Sequence, residues 1–283
     1  MSNILAFDIG GTNIKYALVD KNYKIIFQYK VKTKAYTLLK QIDEIIERNN
    51  TFNFNCIAIA MTGVIDSKTK KIIFAGNGFD FLINLDFSFL EKKYNKKLII
   101  ENDANAAVFA ELINKKYKKI PNIALITFGT GVGAGIIIDQ KLFKGKNNLG
   151  GEIGTIPWKN SIVDKELSFS KFNKKIKEKF KFNSLNPITF KLKYWINKDF
   201  ANLMNKYLND VATFLATLSI IYNLDIIKYG GGLSHLDKIF LNKIENKFYL
   251  LLSKTAFKTT IMKAENMNNS GVLGISYLSR IKK

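Results

Sequence analysis

The sequence predicts an α/β protein of two similar units, which we expect to form two lobes with a cleft between them. Segments 4–20 and 123–139 share one pattern: an apolar strand, a turn of glycine and threonine, and a returning strand. The spacing from Asp8 to Asp20 equals that from Thr127 to Asp139. Helical apolar spacing occurs in both halves of the chain, which indicates that helices alternate with strands.

Composition limits the classes of protein that this chain can be. Its 283 residues allow two modest domains or one large domain. No apolar run approaches the roughly 18 residues of a membrane span. The first 11 residues lack the basic region and cleavage site of a signal peptide. Cys56 is the only cysteine, which excludes an intrachain disulfide and favours a reducing cytoplasm.

The net charge of +21 raises the question of nucleic-acid binding. Lysine supplies nearly all of this charge, since Arg48 and Arg280 are the only arginines. Base edges are read mainly by arginine and by amide side chains on recognisable motifs, and no such motif is present. We therefore interpret the charge as lysine enrichment of the whole surface and expect neither nucleic acid nor a membrane as a partner.

The first half of the chain predicts strands that lead into a polar junction. The expected strands span 4–8, 14–20, 23–31 and 56–61, with a helix over 38–46. A further short strand at 98–100 ends in Glu101, Asn102 and Asp103, and an alanine-rich helix follows. Asp103 has two interpretations: a helix cap, or a general base at the carboxyl end of a strand.

The second half predicts helices at 206–222, 239–252 and 272–281, with strands at 224–229 and 259–262. Segment 165–200 is basic and aromatic, with helical stretches and a break at Asn186-Pro187. We expect it to form surface or a dimer contact. Lone His235 follows a glycine-rich loop, where we expect a surface or helix-cap role rather than metal binding.

Two glycine-rich turns are candidates for phosphate binding. Asp8-Ile-Gly-Gly-Thr12 offers N–H groups and a hydroxyl, Lys15 could neutralise phosphate, and Asp8 could hold Mg²⁺ directly or through water. The alternative is an ordinary hairpin turn. The second turn, 129–133, lacks an acid at the Asp8-equivalent position, Thr127, so we expect phosphate contacts only there. Each turn joins two hairpin strands, unlike a Walker A loop or a dinucleotide-binding motif.

Six motifs in order give a family resemblance. They are DIGGTNIKYALVD, MTGVID, ENDANAAVFAE, FGTGVGAGIIID, GGEIGT and YGGGLS. Together they resemble the ROK family of sugar kinases, over residues 4 to about 278. The resemblance implies the two-lobed actin/hexokinase/Hsp70-like (ribonuclease H-like) ATPase fold. It also implies a small lobe of residues 1–115 completed by 271–283, and a larger lobe of residues 116–270.

The resemblance also implies roles for individual residues. Asp103 matches the catalytic base. The positions matching sugar contacts are Gly63, Asn102, Asp103 and Glu152, with Asn77 and Asn84 near a further contact. The positions matching ATP contacts are Asp8, Gly10, Gly11, Thr12, Asn13, Lys15, Thr130, Gly131, Gly133, Gly230, Gly231 and Gly232. Asp8 is also the position expected for Mg²⁺.

The sequence departs from the family where many members bind zinc. Thr155 stands in place of the usual histidine after GEIG, and Cys56 and His235 are the only Cys and His in the chain. A four-ligand zinc site of these residues is therefore excluded. The histidine also contacts sugar in zinc-bearing members, so the sugar pocket is altered. Asp8 lies too near the start for the DNA-binding domain of ROK repressors.

These observations predict an ATP-dependent sugar kinase that transfers phosphate to a hexose or N-acetylated amino sugar, most readily at the 6-hydroxyl. N-acetylmannosamine kinase and glucokinase are the first substrate hypotheses, with fructokinase and β-glucoside kinase as alternatives. A non-catalytic sugar sensor on the same fold is the competing class, since fold alone does not fix function. The resemblance further implies ATP and Mg²⁺ as cofactors, a cytoplasmic location and a homodimer.

Overall fold

The computed structural model describes residues 2–76, 80–182 and 187–281. They divide into two compact units, each with its own sheet. Unit 1 comprises Met1–Lys119, Lys144–Gly150 and Asn266–Lys283, and unit 2 comprises Ile120–Phe143 and Gly151–Glu265. No helix in the described ranges is long and apolar enough to cross a membrane.

The described chain alternates strands and helices in both units. The strands are β1 Asn3–Ile9, β2 Asn13–Val19, β3 Ile25–Lys32, β4 Phe54–Met61, β5 Val64–Asp66, β6 Lys71–Phe74, β7 Lys97–Asn102, β8 Ile123–Phe128, β9 Val132–Ile138, β10 Lys141–Leu142, β11 Pro157–Trp158, β12 Ser161–Ile162, β13 Ile226–Gly230 and β14 Thr260–Lys263. The helices are α1 Leu38–Asn49, α2 Ser88–Tyr94, α3 Asp103–Glu111, α4 Val163–Glu166, α5 Phe169–Phe180, α6 Pro187–Ile196, α7 Lys198–Tyr222, α8 Lys238–Leu252 and α9 Ser270–Ile281.

Unit 1 is organised on a five-stranded sheet in the order β3-β2-β1-β4-β7. The β1–β2–β3 meander is antiparallel, whereas β1, β4 and β7 run parallel. Strand β4, which lies between β1 and β7, is buried almost throughout, as expected for a parallel strand covered on both faces. Helix α9, from the end of the chain, contacts β1 and packs closely on α3, where Gly274 lies against the backbone of Ala106.

Unit 2 repeats this topology. Its sheet has the order β10-β9-β8-β13-β14, with an antiparallel β8–β9–β10 meander and parallel β8, β13 and β14. The glycine turn follows the first strand of the meander in each sheet. The shared strand order and directions are what the internal sequence similarity predicts.

The predicted strands and helices are present, with shifted ends. The helix predicted from residue 206 begins at Lys198, where the Asn197 side chain caps it by accepting a hydrogen bond from Phe200 N at 2.9 Å. The strand predicted from Tyr23 begins at Ile25, because Tyr23 lies in the β2–β3 turn with a φ of 64°. The break predicted at Asn186-Pro187 lies partly outside the described residues, and α6 begins at Pro187.

The expectation that segment 165–200 forms surface or a dimer contact is wrong for its main aromatic residues. Phe169, Phe172, Phe190 and Phe200 are buried in the core of unit 2. The ring of Phe172 stacks on Tyr207 of α7 with centroids 3.8 Å apart. The lysines between these aromatics are mostly exposed, so the segment is an amphipathic cover for the long helix.

Candidate active site

The junction between β7 and α3 holds the Asp103 carboxylate in a fixed position. Asn102 caps the helix: its side-chain oxygen accepts a hydrogen bond from Asn105 N at 3.0 Å, and its amide donates to Gly63 O at 3.0 Å. The Asp103 carboxylate accepts from Ala104 N at 2.8 Å. Capping therefore falls to Asn102 rather than Asp103. Burial raises the pKa of Asp103, and the Ala104 N–H opposes this in part.

Asp8 forms a second acidic position in unit 1. It faces Lys15 across the β1–β2 pair, with 3.8 Å between carboxylate and ammonium, and its side chain is 28% exposed. The start of α9 closes over it, since a Cβ on Gly271 would lie 2.4 Å from the Asp8 carboxyl carbon. Burial, then the charge of Asp103, raises the pKa of Asp8 to about 6, while Lys15 lowers it.

The first glycine turn is held through its carbonyl groups. Gly10 N donates to Asn13 O at 3.0 Å within the turn. From the end of β3, the Thr33 hydroxyl donates to Gly10 O at 2.7 Å, and Thr33 N donates to Thr12 O at 3.0 Å. Gly11 and Thr12 are exposed at the tip of the turn. The turn therefore presents backbone N–H groups and a hydroxyl to solvent on a fixed frame.

Lys15 is engaged within the protein. Besides the Asp8 carboxylate, its ammonium contacts the carbonyl oxygen of Asn268 in the 3-10 helix Met267–Asn269 before α9. The ammonium is half-buried in this arrangement. Lys15 thus balances the charge of Asp8 directly. Its predicted role in neutralising phosphate remains a prediction.

The second glycine turn contains an acid that the sequence did not reveal. Asp164, from α4, accepts a hydrogen bond from Val132 N at 2.5 Å. Its carboxylate lies where side chains at Gly131 and Gly154 would be, 3.0 Å and 2.5 Å from the Cβ positions. The position equivalent to Asp8, Thr127 in β8, carries no acid, and the carboxylate at this turn comes instead from outside the hairpin. The missed residue lies immediately before the basic aromatic segment, where no local pattern distinguishes it.

Ser168 fixes the carbonyl groups of this second turn. Its hydroxyl lies 2.9 Å from Gly129 O and 2.7 Å from Thr130 O, and it also caps α5 by accepting from Lys171 N. Thr130 is exposed at the tip, and Gly133 pairs with Thr127 in the hairpin. The turn is therefore built together with α4 and α5.

Glu152 precedes a short 3-10 helix at Ile153–Thr155 in unit 2. Both Glu152 and Thr155 are exposed, and the Thr155 hydroxyl donates to Glu152 O at 2.7 Å. The residue that replaces the usual family histidine thus bonds the backbone of its own turn. The Glu152 side chain is exposed to solvent, as a sugar contact requires.

The third glycine segment ends β13. Gly231 has a φ of 75°, and a Cβ there would lie 2.6 Å from Phe128 O. A Cβ on Gly232 would meet the ring of Phe169 at 2.6 Å, and Gly230 is buried in the strand. These glycines therefore allow close backbone packing against the second turn. Their contact with adenosine stays a prediction.

The remaining sequence-predicted positions differ in how far the structure describes them. Gly63 has a φ of 107°, and a Cβ there would lie 2.9 Å from Phe74 O, so the turn after β4 requires glycine. Asn84 is exposed and donates its backbone N–H to Ile72 O at 2.9 Å. Asn77 lies outside the described residues.

The residues present fit magnesium better than zinc. Cys56 is buried in β4, and burial raises its pKa to about 11, while His235 is exposed. Within the described ranges, no group of three or more His, Cys, Asp and Glu side chains could hold a metal. Mg²⁺ needs fewer protein ligands, because one or two carboxylates with phosphates and waters suffice. Asp8, partly exposed and electrostatically coupled to Asp103, offers such a carboxylate.

Comparison with known proteins finds a match to one family and to sugar kinases. The profile of the ROK family matches residues 4–282. An N-acetylmannosamine kinase of Vibrio cholerae is 31% identical over 245 residues, covering 81% of this chain and 83% of that protein. An N-acetyl-D-glucosamine kinase of Vibrio atlanticus is 24% identical, covering 96% of this chain and 98% of that protein.

Solved structures confirm the fold expected from the resemblance. A ROK family glucokinase of Streptomyces griseus, in complex with glucose and AMPPNP, superposes with a TM-score of 0.81 at 22% identity over 99% of each chain. A ROK family protein of Streptococcus pneumoniae, in complex with sucrose, gives 0.84 at 20% identity, also over 99% of each. The chain has the two-unit actin/hexokinase/Hsp70-like fold.

Proposed function

Because the chain belongs to the ROK family, we propose that it is an ATP-dependent kinase that phosphorylates a sugar hydroxyl. The observation that carries this proposal is the Asp103 carboxylate. It lies at the carboxyl end of a parallel strand, at the start of a helix, between residues that are bonded in place. Ligands of α/β sheets bind at such strand ends.

Asp103 serves as the general base in this proposal. The acceptor hydroxyl forms a bond to the γ-phosphorus while the bond from that phosphorus to the bridging oxygen breaks, which releases ADP. The hydroxyl proton passes to the Asp103 carboxylate. A raised pKa suits this role, because it makes the carboxylate a better proton acceptor than an ordinary aspartate.

We propose that the other positions predicted from the resemblance bind the two substrates. The exposed Gly11 and Thr12 of the first turn contact phosphate through N–H and hydroxyl groups, and Thr130 at the tip of the second turn does the same. Glu152 and Asn102 bind sugar hydroxyls. Asp8 would hold Mg²⁺, directly or through water, and the ion would supply neutralisation of phosphate charge.

N-acetylmannosamine is the first substrate to test. The support is the 31% identity to the Vibrio cholerae enzyme together with Thr155, which removes the imidazole found in zinc-bearing members. Glucose is the second candidate, since the Streptomyces griseus structure contains it. We also propose that the protein is cytoplasmic and forms a homodimer, a state that light scattering would measure.

The test of the mechanism is Asp103→Asn. We expect turnover to fall by at least about 100-fold, because the amide cannot accept the proton, while sugar binding measured by calorimetry persists. Asp86→Asn is the matched control, because the Asp86 carboxylate likewise accepts a backbone N–H, from Ser88 at the start of α2. Near-normal turnover in the Asp103 variant would contradict the proposal.

A further inference from the structure

Glu101, the residue before the Asn102-Asp103 pair, is a buried carboxylate with its donors in place. Its side chain is 1% exposed. One carboxylate oxygen accepts from Asn102 N at 3.1 Å and from the Asn105 side chain at 3.4 Å. Asn105 N in turn donates to the Asn102 side chain. These bonds therefore link the two residues before Asp103 to Asn105, which follows it.

The charge of Glu101 is balanced by Lys144. The Lys144 ammonium lies 2.8 Å from the other Glu101 oxygen. The Ser67 hydroxyl bridges the two, donating to Glu101 at 3.1 Å and accepting from Lys144 at 2.8 Å. A buried charge that loses its counter-ion is strongly disfavoured, so the position of Glu101 depends on this lysine.

Lys144 is the first residue of a loop, Lys144–Gly150, whose two ends are hydrogen-bonded to each other. Gly150 N donates to Lys144 O at 2.7 Å, which joins the two ends of Lys144–Gly150. A Cβ on Gly150 would lie 2.6 Å from the Lys144 carbonyl carbon, so the closure requires glycine. The ammonium therefore approaches Glu101 from an anchored backbone.

We propose that Lys144, acting through Glu101, is a positioning residue for Asp103 and Asn102. It fixes the orientation of the base and of the sugar-binding amide, and it has no part in nucleotide binding. This inference rests on the proposed sugar kinase function. It places a residue distant in sequence, outside all six motifs, in control of the acceptor side of the reaction.

The same strand offers a matched control. At the other end of β7, Glu91 accepts a hydrogen bond from Leu98 N at 3.1 Å and forms an ion pair with Lys70. In each pair, the glutamate accepts a hydrogen bond from a backbone N–H of β7 and forms an ion pair with a half-buried lysine. Only the Glu101–Lys144 pair adjoins Asp103.

The experiment compares K144M, K70M and K144R. We expect K144M to lower kcat/KM for the sugar by about 10-fold or more, since a small misplacement of a reacting group is costly, with KM for ATP within about twofold of wild type. K70M should leave both constants near wild type, and K144R, which keeps the charge, should recover most of the loss. The double variant E101Q/K144M should lose less than the two single effects combined, because no buried charge is left unpaired.

Hydrogen exchange at amides 102–106 supplies a readout that does not need turnover. We expect faster exchange in K144M than in K70M at equal distance below their unfolding temperatures. Unchanged exchange, or equal kinetic losses in K144M and K70M, would overturn the inference. If K144M does not fold, E101Q, which removes the charge that pairs with Lys144, is compared with K70M by the same two criteria. A wild-type protein that phosphorylates no sugar would instead overturn the proposed function.

Discussion

The two glycine turns occupy the same place in two sheets of the same topology, yet they are built differently. The first is four residues long between the paired Ile9 and Ile14, and the second is three residues long between Phe128 and Val132. The acid at the first turn is Asp8, which belongs to β1, the strand that leads into that turn. On the second, the acid comes from a helix remote in sequence, Asp164. Equivalent sheet position therefore predicts the backbone but does not predict the chemistry.

The two turns therefore differ in which of their backbone N–H groups are available to a ligand. In the second turn, the Asp164 carboxylate accepts a hydrogen bond from Val132 N, and the Ser168 hydroxyl contacts the carbonyl oxygens of Gly129 and Thr130. In the first turn, Thr33 holds the carbonyls, and across the described residues no side-chain oxygen accepts from the N–H groups of residues 10–12. We infer that the first turn is open to phosphate, whereas the second is shaped by its own acid.

The largest expected difference between the turns is the effect of removing the acid of the first. Asp8→Asn should lower turnover by about 100-fold, because the amide is a much weaker Mg²⁺ ligand than the carboxylate. Steady-state assays across a range of Mg²⁺ concentrations measure this. Turnover that stays normal and keeps its magnesium dependence would remove Asp8 from the proposed metal site.

The same variant should be more stable at neutral pH. The pKa of Asp8 in the folded protein, about 6, exceeds its ordinary 3.8, so the folded state binds the proton more tightly. Ionisation therefore costs stability as pH rises from about 4 to 6, by at most about 3 kcal/mol. Urea unfolding should show Asp8→Asn and wild type nearly equal at pH 4, with the variant the more stable at pH 7. A difference that shrinks with rising pH would contradict this.

An intermediate effect is expected from the acid of the second turn. Asp164→Ala frees Val132 N, and we expect KM for ATP to rise by about 10-fold and the free energy of unfolding to fall by about 2 kcal/mol, the value of a charge-assisted hydrogen bond. Asp164→Asn should stay close to wild type, because its amide oxygen can still accept from Val132 N. Glu166→Gln, exposed on the same helix, is the control. Equal KM values in all three variants would show that the turn does not need Asp164.

The smallest effect distinguishes two glycines of one turn. A Cβ at Gly131 would lie 3.0 Å from the Asp164 carboxylate, whereas a Cβ at Gly129 would have no atom within 4 Å. We expect Gly131→Ala to cost about 1 kcal/mol and Gly129→Ala to be nearly neutral, since mild overpacking costs roughly this amount. Thermal unfolding of the two variants measures the difference, and equal costs would contradict the placement of Asp164.

The sequence predicts the fold well because strand and helix periodicities are local. Segments 4–20 and 123–139 resemble each other, and their sheets share a topology. The sequence also identifies the β7–α3 junction, since Asn102 and Asp103 stand between an apolar strand and an alanine-rich helix. Apolar spacing predicts the start of α7 at residue 206 rather than at Lys198, because residues 198–205 contain fewer apolar positions, although Asn197 is a recognisable cap.

The rest could not be predicted because it depends on contacts between distant parts of the chain. Asp164 lies 32 positions from its partner Val132. Glu101 opens one motif, whereas its partner Lys144 lies outside all six motifs. The buried aromatics of α5 and α6 have lysine neighbours that suggest a surface. Each contact appears only when tertiary structure brings the segments together.

The most direct test of the central claim is ADP release with ATP and Mg²⁺ against a panel of sugars. The panel contains N-acetylmannosamine, N-acetylglucosamine, glucose, mannose, fructose, allose and a β-glucoside. We predict turnover that depends on one or a few of these sugars, with N-acetylmannosamine first, and a product phosphorylated at the 6-hydroxyl. Sugar binding without ADP release on any of them would contradict the kinase and favour a sugar sensor on the same fold.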